Sequence, residues 1–446
     1  MGYLGSGERL RVALDKLVQG KHLKIASVGG SITTGQGCPD APSWPVYMQY
    51  YMQDQFGAER VSLANGAVGG TTSSYMSVCH NVHVPRDSDI IFVEYSINDL
   101  SAPPGPPFQS SGRRQFERLL RKLLTYPNRP AVILMHSHGY NGMGSAPKGT
   151  FWNNAEREFN EFALYYQIPS LSVKGCCHHL LKDGTQPGFW VNETRDGDEA
   201  KMERLKDSAF FHDVTHPSGR TGSRVMAELA MHVLDRTLRR LKVLPISTED
   251  RVVTAAPLPP PMIEGNWESL SDKCFIGFAL TNTTRGTKGF EWINESKTDR
   301  PKWGYVATKV NATLTVEVDS RAGQTGAQSS MVTVDVAHLR SYVHMGQASV
   351  LCISGCTCVG TTMEGHTSEK NSQLHLHTIR VTQSEQCVIR FTVLDTTKSG
   401  ENKVKISGII VSEEDGEGQK NYEAIEYIHD ISARSKDATF EIRNHA

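Results

Sequence analysis

The sequence predicts two domains, an α/β domain built on a parallel sheet and an antiparallel β-sandwich domain after it. Its 446 residues are enough for two or three domains. Short apolar strands alternate with amphipathic helices up to about residue 242, which is typical of a sheet covered by helices on both faces. The proline-rich stretch AAPLPPPM then predicts a linker. We therefore expect a first domain over 1–245, a linker over 246–264 and a second domain over 265–446.

The first half of the chain contains the strands of the predicted parallel sheet. They are LKIASV, VSLANGAVGG, DIIFVEYSIND, AVILMHSHG and IPSLSV. Runs such as IIFV and VILM are apolar throughout, as expected of strands that are buried on both faces. The helices predicted between and around them are GERLRVALDKLV, residues 43–56, RRQFERLLRKLLTY, FWNNAEREFNEFALYY and a long helix that begins at HPSGRTG. This order predicts a three-layer αβα domain.

The second half has a different pattern, with short strands of alternating polarity separated by turn residues. The predicted strands are VNATLTVEVDS, SSMVTVDV, ASVLCIS, LHLHTIRVTQ, CVIRFTVLD and KVKISGIIVSE. Such strands at close spacing are typical of an antiparallel β-sandwich.

Composition excludes several classes of function. The net charge of −1 comes from 47 basic and 48 acidic residues, so no strong positive field attracts nucleic acid or an anionic membrane. No apolar run approaches the ~20 residues that a membrane-spanning helix needs. The chain begins MGYLGSGERL, which has no apolar signal core, so it is either intracellular or lacks its targeting segment.

Cysteines and glycosylation sequons favour an oxidising compartment. Cys352, Cys356 and Cys358 form a C-x3-C-x-C cluster, with Cys274 and Cys387 in the same half of the chain. Structural zinc sites usually use C-x2-C pairs, so we expect disulfides there and no metal. N-x-S/T sequons begin at Asn192, Asn282, Asn294 and Asn311. Together these features predict a secreted protein or one of the secretory-pathway lumen.

Polar groups at successive strand ends match the requirements of a nucleophilic serine. Ser31 follows the first strand after two glycines, and serine needs a base, an orienting group and donors for the oxyanion. In DVTHP, His216 comes three residues after Asp213, a spacing at which the carboxylate can bind one imidazole nitrogen while the other faces the serine. Gly70 and Asn98 end the second and third strands. Because parallel strands end at one edge of the sheet, all of these residues are expected there.

These motifs resemble those of the SGNH hydrolases, a branch of the GDSL esterase/lipase superfamily. The family's blocks appear in order as GGSIT around Ser31, Asn65-Gly-Ala-Val-Gly-Gly70, Ser96-Ile-Asn98-Asp99 and Asp213 to His216. The resemblance covers roughly residues 20–242 and does not extend to the second domain.

The resemblance implies a role for each matching residue. Ser31 would be the nucleophile, His216 its base and Asp213 the group that orients the base. The Ser31 and Gly70 N–H groups and the Asn98 amide would form the oxyanion hole, and no metal or organic cofactor is needed. Two positions depart from the pattern: Gly30 replaces the usual aspartate of G-D-S, and Ser96 replaces the glycine of G-x-N-D.

Other chemistry-bearing residues have simpler interpretations. His136 and His138 follow the fourth strand, where they either line the pocket or belong to a surface loop. His212 competes with His216 as the base but lacks the D-x-x-H spacing. The cluster Cys176-Cys177-His178-His179 suggests a metal site, yet adjacent residues seldom converge on one ion. A disulfide or plain packing is the favoured interpretation.

In the second domain, Trp267, Trp292 and Trp303 are candidates for stacking on sugar rings. Packing in the domain interior is the commoner role of such aromatic residues.

The predicted function is ester hydrolysis through a Ser-His-Asp triad, with a carbohydrate O-acetyl or other short-chain acyl ester as substrate. The partner is thus a small-molecule or glycan ester. Two alternatives stay open: a lipase or thioesterase for longer acyl chains, and a non-catalytic glycan-binding protein on a hydrolase fold.

Overall fold

A computed structural model describes most of the chain, in two compact units that meet between Asn266 and Trp267. The described residues are 2–99, 108, 110–139, 154–183, 210–213, 215–269, 271–295, 302–321, 331–368 and 372–412. Each unit is described by itself below.

The N-terminal unit contains a five-stranded sheet in which all neighbouring strands are parallel. Its strands are β1 (Leu23–Gly29), β2 (Val61–Asn65), β3 (Ile90–Glu94), β4 (Ala131–His136) and β5 (Ser170–Ser172). Their spatial order is β2-β1-β3-β4-β5. The predicted parallel α/β sheet is therefore confirmed, and the carboxyl ends of its strands share one edge.

Helices connect and cover these strands. They are α1 (Glu8–Val18), α2 (Ser31–Thr34), α3 (Trp44–Phe56), α4 (Ser73–His83), α5 (Ser111–Leu124), α6 (Glu156–Tyr165), α7 (Val173–Asp183), α8 (Arg224–Val243) and α9 (Thr248–Ala255), with a π-helical turn at Gly219–Ser223 before α8. Within the described residues, none of the helices combines the length and the apolarity needed to cross a bilayer.

Both faces of the sheet are buried, as the apolar strands predict. Ile25, Phe92 and Ile133 form one core with side chains of α1, α3 and α8. Residues that alternate with them along the strands, such as Val93 and Leu134, are equally buried but lie outside that core. Since successive strand residues point to opposite faces, helices must cover both, which gives the predicted three layers.

Residues 246–264, the predicted linker, lie within the N-terminal unit. Their first part forms α9, which begins with a capping box between Ser247 and Asp250. Asp250 is buried and accepts from Arg11 of α1 at 2.6 Å. Further on, the Pro259 carbonyl accepts from Arg121 of α5 at 2.7 Å. These bonds attach the segment to the helices of its own unit.

The C-terminal unit has two antiparallel sheets that enclose one apolar core, which confirms the predicted β-rich fold. One sheet has the order β13-β12-β15-β10-β7 and the other β14-β11-β16-β9-β8, with β6 also paired to β16. The strands are β6 (Lys273–Ile276), β7 (Thr284–Lys288), β8 (Glu291–Asn294), β9 (Trp303–Ala307), β10 (Thr313–Val318), β11 (Met331–Ser341), β12 (Gln347–Ser354), β13 (Thr361–Glu364), β14 (Ser372–Thr382), β15 (Cys387–Val393) and β16 (Val404–Ser412), and α10 is Phe278–Thr283.

Among the residues that the structure describes, two disulfides join cysteines within this unit, as the cysteine pattern predicts. Cys352 is bonded to Cys358 and Cys356 to Cys387. Sulfur atoms of three of these residues lie within 4.8 Å of one another. Because these sulfurs are joined as disulfides, they do not form a thiolate site for zinc.

Candidate active site

Ser31 lies at the edge of the sheet where the strands end. It follows Gly30, the first residue after β1, and is the first residue of α2. The preceding Gly30 has an extended backbone, and the chain turns into α2 at the serine. Two bonds to the Ser31 carbonyl fix this turn: the Thr34 hydroxyl donates at 2.8 Å and the Gln36 N–H at 2.9 Å. The serine is 9% exposed.

A hydrogen-bonded chain joins Ser31, His216 and Asp213. The Ser31 Oγ lies 2.8 Å from His216 Nε2. On the other side of the ring, His216 Nδ1 lies 2.8 Å from Asp213 Oδ2 and 2.9 Å from Oδ1. An ionised carboxylate can only accept hydrogen bonds, so Nδ1 carries the proton. His216 Nε2 is then free to accept from the serine hydroxyl.

Asp213 stays ionised because its local turn supplies donors. Burial opposes the charged form, but donors from the His216 ring and from the His216 and Thr215 N–H groups outweigh it, which lowers the pKa of Asp213 to about 2. Both N–H groups donate to Asp213 Oδ1 at 2.8 Å. The D-x-x-H spacing thus makes a turn in which one carboxylate holds both the backbone and the ring of the histidine.

Asn98 lies beside the serine turn with its amide held in place. Asn98 Nδ2 donates to the Thr71 carbonyl at 2.8 Å. A primary amide has two N–H donors, and this bond uses one of them. The Asn98 side chain also lies against Gly30: a Cβ on that glycine would be 2.4 Å from Asn98 Nδ2 and 2.5 Å from Oδ1.

The glycine loop after β2 is fixed to β1 by its backbone. The Gly66 N–H donates to the Ser27 carbonyl at 2.9 Å and the Val68 N–H to the Gly29 carbonyl at 3.0 Å. This brings Gly69 next to the serine, since a Cβ on Gly69 would lie 3.8 Å from Ser31 Cβ. Gly70 follows with a φ of 75° and open space beside it. A left-handed backbone here favours glycine.

Asp99 secures the segment that holds Asn98. Its carboxylate accepts from the Ser73 N–H at 2.9 Å and also from the Ser73 hydroxyl, at the first turn of α4. Burial raises the pKa of Asp99 to about 6, against the bonds from Ser73 and the charge of Arg113. Asp99 directly follows Asn98 in the motif, but the motif alone does not predict this role for it.

The two departures from the family pattern have different surroundings. Gly30 is required by the close approach of Asn98 described above. Ser96 is fully buried, and its hydroxyl lacks a hydrogen-bond partner. Its carbonyl accepts from the Ala155 N–H at 2.9 Å, so the backbone there is held as well.

The competing histidines are not joined to the serine by the hydrogen bonds that the structure describes. His212 is exposed, and its backbone N–H donates to the His216 carbonyl at 2.9 Å. His136 and His138 are buried, so they are not surface residues. His136 Nε2 contacts Ser170 Oγ at 3.0 Å, and neither ring nitrogen of His138 has a hydrogen-bond partner among the described residues. Burial lowers the pKa of both rings to about 3, with a smaller effect of Lys174 on His138.

The Cys176–His179 cluster lies on α7, where consecutive side chains diverge around the helix. Neither Cys176 nor Cys177 is in a disulfide.

In the C-terminal unit, the rings of Trp292 and Trp303 stack with centroids 5.8 Å apart. Phe278, with its side chain 63% exposed, lies beside both. Sugar stacking on these tryptophans stays a prediction.

Comparisons with known proteins agree with this architecture. Residues 27–221 match the model of the GDSL-like Lipase/Acylhydrolase family. No curated protein matches the chain at a significant level. A solved two-domain esterase (CEX) active on acetylated mannans, co-crystallised with mannopentaose, is similar at 18% identity and a TM-score of 0.63, over 92% of this chain and 96% of that one.

A second structure of such a two-domain esterase active on acetylated mannans gives 18% identity and a TM-score of 0.64, over 92% of this chain and 97% of that one. At this identity the likeness shows the fold. Because the match covers 92% of this chain, it includes residues of both units.

Proposed function

We propose that this protein, a carboxylic ester hydrolase whose residues 27–221 match the model of the GDSL-like Lipase/Acylhydrolase family, removes short acyl groups, acetyl above all, from carbohydrate esters. The observation that carries the proposal is the hydrogen-bonded chain from Ser31 through His216 to Asp213 at the edge of the parallel sheet.

The reaction follows from the direction of those bonds. His216 Nε2 takes the hydroxyl proton as Ser31 Oγ attacks the ester carbonyl, and Asp213 stabilises the imidazolium that forms. The oxyanion lies between the Ser31 and Gly70 N–H groups and the second hydrogen of the Asn98 amide. His216 then protonates the leaving alcohol. Water, deprotonated by His216, attacks the acyl-enzyme and releases the acid and Ser31.

Substitution of the triad tests the mechanism. In Ser31→Ala and His216→Ala we expect kcat for nitrophenyl acetate to fall about 10⁴-fold or more, because the triad residues act as a unit. His212→Ala is the matched control, since this histidine lies on the same turn but is exposed, and it should keep wild-type kcat. Hydrolysis that survives Ser31→Ala in a protein with unchanged melting would contradict the assignment.

The carbohydrate substrate is supported by the two-domain architecture that this chain shares with esterases active on acetylated mannans. The measurement is acetate release from acetylated mannan, acetylated xylan and other acetylated glycans, beside nitrophenyl esters from acetyl to octanoyl. We expect activity on at least one glycan and kcat/KM that falls with acyl length. A kcat/KM that rises towards octanoyl would instead indicate a lipase or thioesterase.

We also propose that the protein acts outside the cell or in the secretory lumen. The two disulfides of the C-terminal unit support this, as do the exposed sequon residues Asn282, Asn294 and Asn311. The fourth, Asn192, lies outside the described residues. Expression through a eukaryotic secretory pathway should give a product whose mass falls on enzymatic deglycosylation, and an unchanged mass would refute glycosylation.

A further inference from the structure

Glu94 is a buried carboxylate next to residues 30–33, which we call the nucleophile turn. The proposed mechanism does not use it. It is the last residue of β3, paired in register with Gly29 of β1, and none of its surface is exposed. A buried charge needs hydrogen-bond partners. Glu94 receives them from the turn around Ser31 and from the residue after β4.

The donors to Glu94 surround the serine. Thr33 of α2 donates its hydroxyl to Glu94 Oε2 at 3.0 Å, and Ser137, just after β4, donates to Oε1 at 2.5 Å. The Gly30 backbone also faces this carboxylate and lowers its pKa. Thr33 in turn accepts from the Trp44 indole N–H at 3.2 Å. The residue before Ser31 and the residue two positions after it therefore both lie against one side chain, and Thr33 is hydrogen-bonded to it.

We propose that Glu94 is a positioning residue for ester hydrolysis, whose ionised carboxylate holds the Gly30 and Thr33 ends of the nucleophile turn so that Ser31 meets His216. The inference rests on the proposed function. The Thr33 and Ser137 hydroxyls both donate to the carboxylate, which is the pattern that the ionised form satisfies. A protonated Glu94 would place its own O–H among those donors, and at least one bond to the turn would be lost or reversed.

The positioning role of Glu94 should affect how kcat depends on pH, because it requires the ionised carboxylate. Burial raises the pKa of Glu94 to about 7, although the bonds from Ser137, Thr33 and Gly30 lower it, and the negative charge of Asp99 raises it further. The competent ionised form is therefore present at higher pH and is lost as pH falls through about 7. The acid limb of kcat should then contain the protonation of Glu94 as one of its steps.

The first test is Glu94→Gln in the full chain. The amide preserves shape but cannot accept from both hydroxyls, so we expect kcat on nitrophenyl acetate to fall about 10- to 100-fold, as for a nucleophile displaced by a fraction of an ångström. KM should stay within about twofold. The acid limb of log kcat against pH should lose one unit of slope.

Glu156→Gln is the matched control. Glu156 is also fully buried with a pKa raised by burial, to about 8, but it belongs to α6 and not to the nucleophile turn. Its variant should keep the wild-type slope of the acid limb. Equal slope and equal kcat in Glu94→Gln and in the wild type would overturn the proposal.

A second variant decides the question if Glu94→Gln does not fold. Ser137→Ala removes a donor that lowers the pKa of Glu94, so that pKa should rise and the acid limb should move to higher pH. An acid limb at the wild-type pH would refute the role of Glu94. These outcomes are separate from the proposed function: hydrolysis that survives Ser31→Ala removes both proposals, whereas a lost Ser31→Ala activity with unaltered Glu94 and Ser137 variants removes only this one.

Discussion

Gly30 stands where the family usually has aspartate, and its surroundings explain why no side chain is present. The glycine has an ordinary φ of −87°, so backbone strain does not require it. The requirement is steric, because the Asn98 amide occupies the space that a Cβ would need. The sequence motifs identify Ser31 and Asn98 separately. Only the fold shows that the Asn98 side chain can lie beside the serine because residue 30 has no side chain.

Gly30→Ala should therefore impair catalysis through Asn98. The new Cβ would lie 2.4–2.7 Å from three atoms of the Asn98 side chain, which must move away from the oxyanion position. Losing one oxyanion donor costs about 10²- to 10³-fold in kcat, and we expect a fall of at least about 10²-fold. Steady-state kinetics on nitrophenyl acetate measure it.

Gly112→Ala is the control for that substitution. Gly112 lies in α5 with nothing within 4 Å of an added Cβ, so kcat should be unchanged. A Gly30→Ala enzyme with wild-type kcat would show that Asn98 either does not move or does not contribute to the reaction.

Residue spacing predicted the contacts that lie within one turn, and it missed those that depend on the sheet. The D-x-x-H spacing anticipated the bond between Asp213 and His216. Glu94 was missed, although it is a charged residue at the end of an otherwise apolar strand, which is itself a signal. Its partners Thr33 and Ser137 are distant in sequence and meet it only because β1, β3 and β4 are neighbours.

Helices with one apolar face were predicted well, whereas the mostly buried helix α4 was not. The amphipathic pattern placed α1 and α5 within about two residues of their observed bounds. The helix α4 was not predicted. Its first eight residues, Ser73 to His80, are all buried, and several are serines, so no polar stripe marks an exposed face. The helix α4 is buried by α5 and the sheet. Its own sequence does not show that these elements lie beside it.

The helix α9 is another element whose structure depends on distant partners. A proline-rich neighbourhood predicts a linker, yet Arg11 of α1 reaches this region with three bonds. It donates to Asp250 at 2.6 Å, to the Leu244 carbonyl at 2.9 Å and to the Pro245 carbonyl at 3.1 Å. The side chains of Arg11 and Asp250 are both 8% exposed, so this ion pair is shielded from water.

Arg11→Ala should destabilise the N-terminal unit by about 3 kcal/mol, because it leaves Asp250 and two carbonyls without their donor. Urea unfolding followed by loss of ester hydrolysis would report on this unit. Arg251→Ala is the control: its ion pair with Asp15, at 3.2 Å, involves an arginine that is 55% exposed, and such pairs contribute less than about 1 kcal/mol. Equal effects of the two substitutions would contradict this account of α9.

At the scale of the whole molecule, the change in hydrophobic pattern was enough to predict two fold classes in one chain. The hydrophobic pattern did not predict which strands pair in the C-terminal unit. Strands β11 and β16, for example, are paired although about sixty residues separate them in sequence. Alternation of polarity marks which residues face the core, but many registers satisfy it equally well. The pairing of the cysteines depends on the same long-range register and was left open for that reason.

These two disulfides close loops of different length, so their contributions to the unfolding free energy of the C-terminal unit can be compared. Cys356 and Cys387 are 31 residues apart, whereas Cys352 and Cys358 are 6 apart. In the chain-entropy model, a longer closed loop restricts the unfolded chain more strongly. That model gives about 4 kcal/mol for the longer loop and about 2 kcal/mol for the shorter one.

Replacing both cysteines of a pair by alanine tests this without leaving an unpaired thiol. Cys356→Ala with Cys387→Ala should lower the unfolding free energy of the C-terminal unit about 1.7 times as much as Cys352→Ala with Cys358→Ala. Urea unfolding of the oxidised full chain by circular dichroism measures both, with the ester hydrolysis transition as the marker of the N-terminal unit. A larger loss from the shorter loop would show that local packing around the sulfurs, and not loop closure, determines what each disulfide contributes.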